Sequence, residues 1–180
     1  MDVREATVAE LVVAARDGDR AAFAALYQRF HRVIHAVVLA RVAACEAGDI
    51  VQDAFTDAWR KLVRLREPAA FPGWLIAIAR NRATDAARRR SFEPAADLAI
   101  ALAIDLAIDP PPRLEAVAAL RAIRELPDTY RETLLMRLVE GLTGPEIAAH
   151  TGMSPDSVRV HLHRGMKLLR ERLGGPGGER

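Results

Sequence analysis

The stretch that most constrains the fold runs from Leu142 to Leu173 and has the pattern of two helices joined by a tight turn. Thr143, followed three residues later by Glu146, forms a capping box. The first helix is therefore predicted to begin there, because each side chain satisfies a free backbone amide. Gly152 ends this helix, and Ser154 caps the second one, with a proline in its first turn. Two short, close-coupled helices of this kind predict a helix-turn-helix.

The second helix of this pair has a basic exposed face. If its N-terminal half enters a major groove, Arg159 and Arg164 can reach guanine edges or phosphates. His163 and Lys167 extend the same polar face. The alternative is an ordinary helical hairpin with a solvated basic face.

Composition and charge indicate an all-α protein with two functional parts. The chain is rich in alanine and has few runs of β-branched residues. Residues 1–92 hold 15 Lys and Arg against 11 Asp and Glu, residues 93–115 hold 1 against 5, and residues 116–180 hold 10 against 8. Two basic blocks on either side of an acidic connector favour two domains that face nucleic acid, although chance could give the same distribution.

Several classes of protein receive no support from the sequence. The single cysteine, Cys45, excludes an internal disulfide framework and a multi-cysteine zinc site. No signal peptide or apolar run long enough for a membrane span is present, so we expect a soluble, cytoplasmic protein. No glycine-rich phosphate loop or catalytic triad spacing stands out, and His31 and His35 have no third ligand nearby. We therefore expect no enzyme activity, cofactor or metal.

The N-terminal part is predicted to be a helical bundle with a distinctive acidic helix. Amphipathic helices over about 7–16 and 19–41 precede a helix over 50–65 that Asp49 is predicted to cap. Their apolar faces, including Tyr27 and Trp59, are assigned to the core. Asp49, Asp53 and Asp57 recur every four residues, which is unfavourable in an isolated helix. The stripe is either a solvated face or a docking surface for a basic partner helix.

A further helix over 73–90 follows a loop over 67–72 that contains two prolines. Its polar side carries Arg80, Asn81 and Arg88. Arginines on phosphates, together with a loop that forms a pocket for an extruded base, would suit single-stranded DNA. The alternative is a solvated helix end, where arginines are also favoured by the helix dipole.

The connector over 93–112 is unusually apolar, with leucines and isoleucines alternating from Leu98 to Ile108. As a helix it would be apolar on more than one side, so we expect it to pack against a flanking domain or a partner. Helices over 114–125 and 128–140, the second ended by Gly141, are predicted to support the helix-turn-helix. The tail over 175–180 is expected to be disordered.

Two blocks of the sequence resemble the extracytoplasmic function (ECF) sigma factors of bacteria. The first block resembles sigma region 2, with DIVQDAF at 49–55, FPGWLIAIARN at 71–81 and DAARRR at 85–90. The second block resembles sigma region 4, with LP at 126–127, EGLT at 140–143, EIA at 146–148 and VRVHLHRG at 158–165. Both blocks in this order are a specific match to the family.

The resemblance implies a fold, partners and residue roles. It implies two small helical domains, at 1–92 and 113–174, joined by the linker over 93–112. The partners would be core RNA polymerase, through its β′ coiled coil and β flap, promoter DNA and an anti-sigma factor. Residues implied in binding the β′ coiled coil are Asp49, Gln52 and Asp53. Those implied at the −10 strand are Arg66, Arg80, Asn81 and Arg88, and those implied at the −35 duplex are Arg159, Val160, His163, Arg164 and Lys167.

Two other functions remain open at this point. A stand-alone helix-turn-helix regulator would bind a duplex operator tightly without polymerase, and an adaptor protein would not contact DNA at all. We also consider that Leu98 to Ile108 packs the two domains together, or onto an anti-sigma factor, in the resting state.

Overall fold

The structure is a computed structural model that describes residues 6–89 and 114–174. These residues form eight α-helices and two short 3₁₀ turns, with no strand among them, which confirms the all-α class. The predicted connector over 93–112 and the predicted tail over 175–180 lie outside the described residues, as does the packing expected of Leu98 to Ile108.

The first four helices form an N-terminal bundle. Thr7 caps the first helix in a capping box with Glu10, and Asp19 caps the second by accepting hydrogen bonds from the amides of Ala21 and Ala22. Large apolar side chains from these helices, Phe30 and Phe71 among them, are fully buried. Helix bounds are α1 Val8–Arg16, α2 Arg20–Leu39, α3 Ala44–Lys61 and α4 Phe71–Arg89.

The start of α3 corrects one prediction. The helix begins at Ala44, so Asp49 lies inside it rather than at its cap, and the N-cap residue Ala43 makes no side-chain capping bond. Ala44 and Ala47 are buried in the core, so tertiary packing extends the helix beyond the local capping signal. At its other end α3 stops at Lys61, and the last part of the helix predicted over 50–65 contains a 3₁₀ turn at 62–64. The segment predicted as a loop over 67–72 contains a 3₁₀ turn at 68–70 and the first residues of α4.

The last four helices form a C-terminal bundle that contains the predicted helix-turn-helix. The amide of Thr143 donates to Glu146 Oε2 at 2.7 Å, and the amide of Glu146 donates back to Thr143 Oγ1 at 3.4 Å, which confirms the capping box. Gly152 ends the helix at φ 74°, and Ser154 accepts a hydrogen bond from the amide of Ser157. Helix bounds are α5 Leu114–Arg124, α6 Asp128–Leu138, α7 Gly144–Thr151 and α8 Pro155–Leu173.

The long helix α8 packs against the other three helices of this bundle, most closely against α6. The close approach depends on Gly165, because a Cβ at this position would lie 3.1 Å from two side-chain carbons of Leu134. Leu138, predicted to be buried, is 48% exposed at the end of α6. The helix ends there, which leaves this side chain at the rim of the bundle.

The two bundles are in direct contact. Helix α2 packs against α6 and α7, and α4 packs against α7. Within this contact, the ring of Phe30 meets His150 edge to face, with ring centroids 5.2 Å apart. Burial there lowers the pKa of His150. The apolar cores of the two bundles therefore form one continuous cluster.

Candidate nucleic-acid interface

The predicted docking face of α3 is exposed along one side of the helix. Asp49, Gln52 and Asp53 all face solvent. Trp59 lies seven residues after Gln52, and so on the same side of the helix, and it is 38% exposed rather than in the core as predicted. Tyr27, also predicted as core, is 39% exposed beside this helix, with its ring 4.6 Å from that of Phe55. Partly exposed aromatic rings are enriched at protein-binding surfaces, and here they lie beside exposed carboxylates.

The third carboxylate of the stripe, Asp57, has a different role. It is 7% exposed, and its Oδ2 accepts hydrogen bonds from Arg82 at 2.9 Å and from Lys61 at 3.1 Å. The bond from Arg82 is the main cause that lowers the pKa of Asp57. Arg82 belongs to α4, so this pair holds α3 and α4 together. The repulsion expected between the stacked carboxylates is therefore offset at Asp57, which pairs with two cations of the same bundle.

The residues predicted to bind the −10 strand lie on α4 and in the segment before it. Arg66 is exposed between the two 3₁₀ turns. Asn81 and Arg88 are exposed and seven residues apart, which places them on one side of α4. These three side chains are accessible to a nucleic-acid strand.

Arg80, the fourth predicted −10 residue, is held by the C-terminal bundle. Its Nε and Nη2 donate to the two carboxylate oxygens of Glu132 on α6, at 2.9 and 2.6 Å. These bonds raise the pKa of Arg80, so it remains cationic. The same carboxylate accepts a bond of 2.7 Å from Arg41, which lies in the turn after α2. Nothing in the local pattern around Glu132 signals this contact, because its partners are distant in sequence.

The residues predicted to bind the −35 duplex form a single exposed stripe on α8. Val158, Gly165 and Leu169 hold the opposite side of the helix in the core. The helix is capped by Ser154, and its N-terminal turn faces solvent. All five predicted residues are exposed: Arg159, Val160, His163, Arg164 and Lys167.

Local contacts leave this stripe available for binding. Arg159 pairs with Asp156 at 3.0 Å, but both side chains are largely exposed, and such pairs contribute little. His161 points away from the stripe and packs edge to face against Tyr130. A major groove would therefore meet two arginines, a lysine, a histidine and one apolar side chain, a combination suited to phosphates, guanine edges and a thymine methyl.

The described residues form neither a membrane-spanning helix nor a cluster of metal ligands. None of the described helices is long and apolar enough to cross a membrane. Within 6–89 and 114–174, no group of three His, Cys, Asp or Glu side chains is arranged to hold a metal ion.

Two protein-family models match successive parts of the chain, in the same order as the two blocks described in the sequence analysis. The model of sigma-70 region 2 matches residues 26–93, and the model of sigma-70 region 4 matches residues 116–169. The first covers most of α2 and all of α3 and α4, whereas the second runs from within α5 to residue 169, near the end of α8.

Curated relatives share this organisation. RNA polymerase sigma factor CarQ of Myxococcus xanthus is 34% identical over 167 residues, covering 88% of this chain and 93% of CarQ. ECF RNA polymerase sigma factor SigM of Mycobacterium tuberculosis is 31% identical, covering 94% of this chain and 86% of SigM. Probable RNA polymerase sigma factor RfaY of Xanthomonas campestris pv. campestris is 40% identical over 140 residues, but the chain spans only 34% of RfaY.

A solved structure shares the fold over almost the whole chain. CnrH, in complex with the cytosolic domain of CnrY, superposes with a TM-score of 0.60 at 26% identity, covering 94% of this chain and 99% of CnrH. The family matches, the relatives and the shared fold all point to the same family. The chain therefore belongs to the ECF sigma factors of the sigma-70 family, the promoter-directing subunits of bacterial RNA polymerase.

Proposed function

We propose that this sigma factor directs initiation through three separate surfaces, one for core polymerase and two for promoter DNA. The observation that carries the proposal is the stripe on α8, where five side chains suited to DNA are exposed on one side of a capped recognition helix. The domain at 113–174 would read the −35 duplex, and the domain at 1–92 would bind both the enzyme and the −10 strand, with 93–112 as the linker.

Core polymerase would dock on the exposed face of α3. Asp49, Gln52 and Asp53 offer carboxylates and an amide to a basic helix, such as the β′ coiled coil, and Trp59 offers an apolar anchor beside them. Burial of Asp57 against Arg82 supports the choice of the first two carboxylates, because only these are free to meet a partner. The C-terminal bundle would contact the β flap.

The melted −10 strand would lie along α4. Arg66, Asn81 and Arg88 are accessible, and Arg80 adds a fourth contact once its pairing with Glu132 is released. Arginines contribute phosphate contacts and can stack on bases, which suits a single strand. The polymerase would carry out the chemistry, whereas this subunit would supply placement and strand separation.

An anti-sigma factor is the further partner that we propose. The CnrH structure contains the cytosolic domain of CnrY, and CnrH shares the fold of this chain. We infer that this protein also acts in the cytoplasm, where core polymerase and DNA are found. The stand-alone regulator is not supported by any feature of the two family matches.

Run-off transcription with bacterial core polymerase tests these assignments, on a template that carries the DNA upstream of this protein's own gene. Asp53→Arg is expected to abolish initiation by preventing docking, with Asp17→Arg, in the exposed turn after α1, as its charge-matched control. Arg159→Ala is expected to weaken promoter binding by about 1–3 kcal/mol if it contacts a base, with Arg20→Ala as its control. Wild-type activity in both test variants would contradict the proposed surfaces.

Tight operator binding by the free protein, without any stimulation of core polymerase, would favour the stand-alone regulator instead. A gel-shift assay with and without core polymerase separates the two functions. A sigma factor is expected to bind the promoter fragment weakly alone and firmly in the holoenzyme.

A further inference from the structure

Helix α1 lies ahead of the region 2 match, and it packs against both 3₁₀ turns of the segment that joins α3 to α4. The position of α1 is itself well fixed. Leu11 and Val12 are fully buried in the core, and Arg29 of α2 donates to the carbonyl of Ala6, just before the helix, at 2.6 Å. The helix therefore gives the segment over 62–70 a rigid support.

Arg16, in the last turn of α1, bonds directly to the first of these 3₁₀ turns. Its Nε donates to the carbonyl of Leu62 at 3.3 Å, and the same carbonyl accepts a bond from the amide of Leu65 at 3.1 Å. Because Leu62 is the C-cap of α3, its carbonyl has no partner within that helix. The two donors can engage both lone pairs of this oxygen, which restrains the direction in which the chain leaves α3.

Stability alone is a poor explanation for the bond from Arg16. The side chain is half-buried, and its Nη2 is buried without a hydrogen-bond partner among the described residues. An unpartnered buried donor carries a desolvation cost, which offsets the gain from a single long hydrogen bond. This arginine therefore contributes more to the shape of the turn than to the free energy of folding.

The turn that Arg16 holds leads into the residues that we assign to the −10 strand. Val63, within the turn, is 76% exposed, and Arg66 is exposed two residues after the turn ends. Apolar side chains pack against bases and arginines bind phosphates, so these two groups match the two parts of a single strand. A segment that is already fixed in its binding conformation loses less conformational entropy when the strand arrives.

Resting on the proposed role of Arg66 at the −10 strand, we propose that Arg16 is a positioning residue for −10 recognition. It holds the turn over 62–64, and through this turn Val63 and Arg66, in the arrangement that receives the strand. Its bonded nitrogen faces a protein carbonyl, so Arg16 itself makes no contact with DNA. Loss of Arg16 therefore changes the shape of the site and not the number of its phosphate contacts.

The test compares wild type with Arg16→Met and Arg16→Lys. Methionine keeps an unbranched aliphatic stem but has no donor, whereas the Nζ of lysine can still donate to the carbonyl of Leu62. Arg20→Met is the matched control, because Arg20 is exposed at the start of α2. Circular dichroism reports whether each variant is folded, and Arg16→Ala replaces Arg16→Met if the methionine variant is not.

Three measurements follow the turn and the strand. Hydrogen exchange at the amide of Leu65 in the full chain reports the order of the turn, with the amide of Phe55, within α3, as the internal reference. Fluorescence anisotropy of the holoenzyme with a labelled single strand, taken from the −10 region upstream of this protein's own gene, gives the affinity and its salt dependence. Run-off transcription from templates with single −10 base changes gives the discrimination between bases.

In Arg16→Met the amide of Leu65 is expected to exchange faster, the strand to bind several-fold more weakly and the discrimination between −10 bases to fall. Arg16→Lys and Arg20→Met are expected to match wild type. The slope of log affinity against log salt is expected to keep its wild-type value in Arg16→Met. In Arg66→Met it is expected to decrease in magnitude by about 0.7, the value for one phosphate contact on a single strand.

Unchanged exchange at Leu65 in Arg16→Met overturns the proposal, and so does faster exchange with wild-type strand affinity and base discrimination. A weaker salt dependence in Arg16→Met also overturns it, because that result would show that Arg16 binds a phosphate directly. If wild type itself fails to initiate with core polymerase, the proposed function fails instead, and exchange at Leu65 still decides whether Arg16 holds the turn.

Discussion

Two glycines inside helices provide a test of the packing argument, because the same substitution is expected to have opposite effects at them. Gly48 lies within α3, and a Cβ built there has no neighbour within 4 Å. Gly165 lies within α8, where a Cβ would be 3.1 Å from both Cγ and Cδ1 of Leu134 and 3.3 Å from Cβ of Tyr130. Leu134 is fully buried, so it has little room to move away.

The expected magnitudes follow from helix propensity and from overpacking. Alanine is favoured over glycine in a helix by about 0.8–1 kcal/mol, so Gly48→Ala is expected to raise the free energy of unfolding by about that amount. Gly165→Ala has the same gain but forces a methyl group into a filled core, at a cost of about 1–3 kcal/mol. The free energy of unfolding of Gly165→Ala is therefore expected to fall by about 1 kcal/mol, so the two variants are expected to differ in stability by about 2 kcal/mol.

Thermal and urea unfolding followed by circular dichroism measure the difference. For a protein of this size, Tm is expected to rise by roughly 2–4 °C in Gly48→Ala and to fall by a similar amount in Gly165→Ala. The double variant is expected to have the sum of the two changes, because the sites share no contacts. Equal stabilisation by both substitutions would refute the reasoning, since it would show that α8 can move away from α6 at no cost.

Two other substitutions test contacts within single bundles. Asp57→Asn is expected to lower the free energy of unfolding by about 1–2 kcal/mol at neutral pH, because Arg82 loses a charged partner. Since the folded pKa of Asp57 is lowered, that difference is expected to persist above the ordinary value of 3.8 and to shrink as the pH falls below it, as measured by urea unfolding at several pH values. Thr143→Ala removes the cap of α7 and is expected to cost about 1 kcal/mol in the same assay, with the exposed Thr56→Ala as a control. A wild-type acid profile in Asp57→Asn, or an unchanged midpoint in Thr143→Ala, would contradict the assigned contacts.

Features set by neighbouring residues were predicted well from the sequence. The capping box of Thr143 and Glu146, the left-handed Gly152 and the Ser154 cap are confirmed because each depends on residues a few positions apart. The predicted start of α3 was wrong because packing of Ala44 in the core extends the helix ahead of the capping signal at Asp49.

Features that depend on contacts between residues far apart in the sequence could not be predicted from local sequence patterns. Tyr27 and Trp59 have apolar spacing, but the bundle leaves them at its rim. Arg80 and Glu132 are 52 residues apart, and each has the ordinary appearance of a solvated helix residue. The exposed residues on α3, α4 and α8 are accessible to partners, and the roles assigned to them stay predictions.

Two arginines of the C-terminal bundle donate to carbonyls at the end of α2, so we expect the N-terminal bundle to depend on the C-terminal one for part of its stability. The last carbonyls of a helix have no partner in the helix itself, and at α2 those of Leu39 and Ala40 are bonded by Arg124 and Arg131. A fragment ending at Arg89 would lack both donors. Hydrogen exchange at the amide of Val42, which bonds to the last turn of α2, is therefore expected to be faster in that fragment than in the whole chain. We therefore expect the unit that unfolds as one body to extend beyond the region 2 match, into the C-terminal bundle.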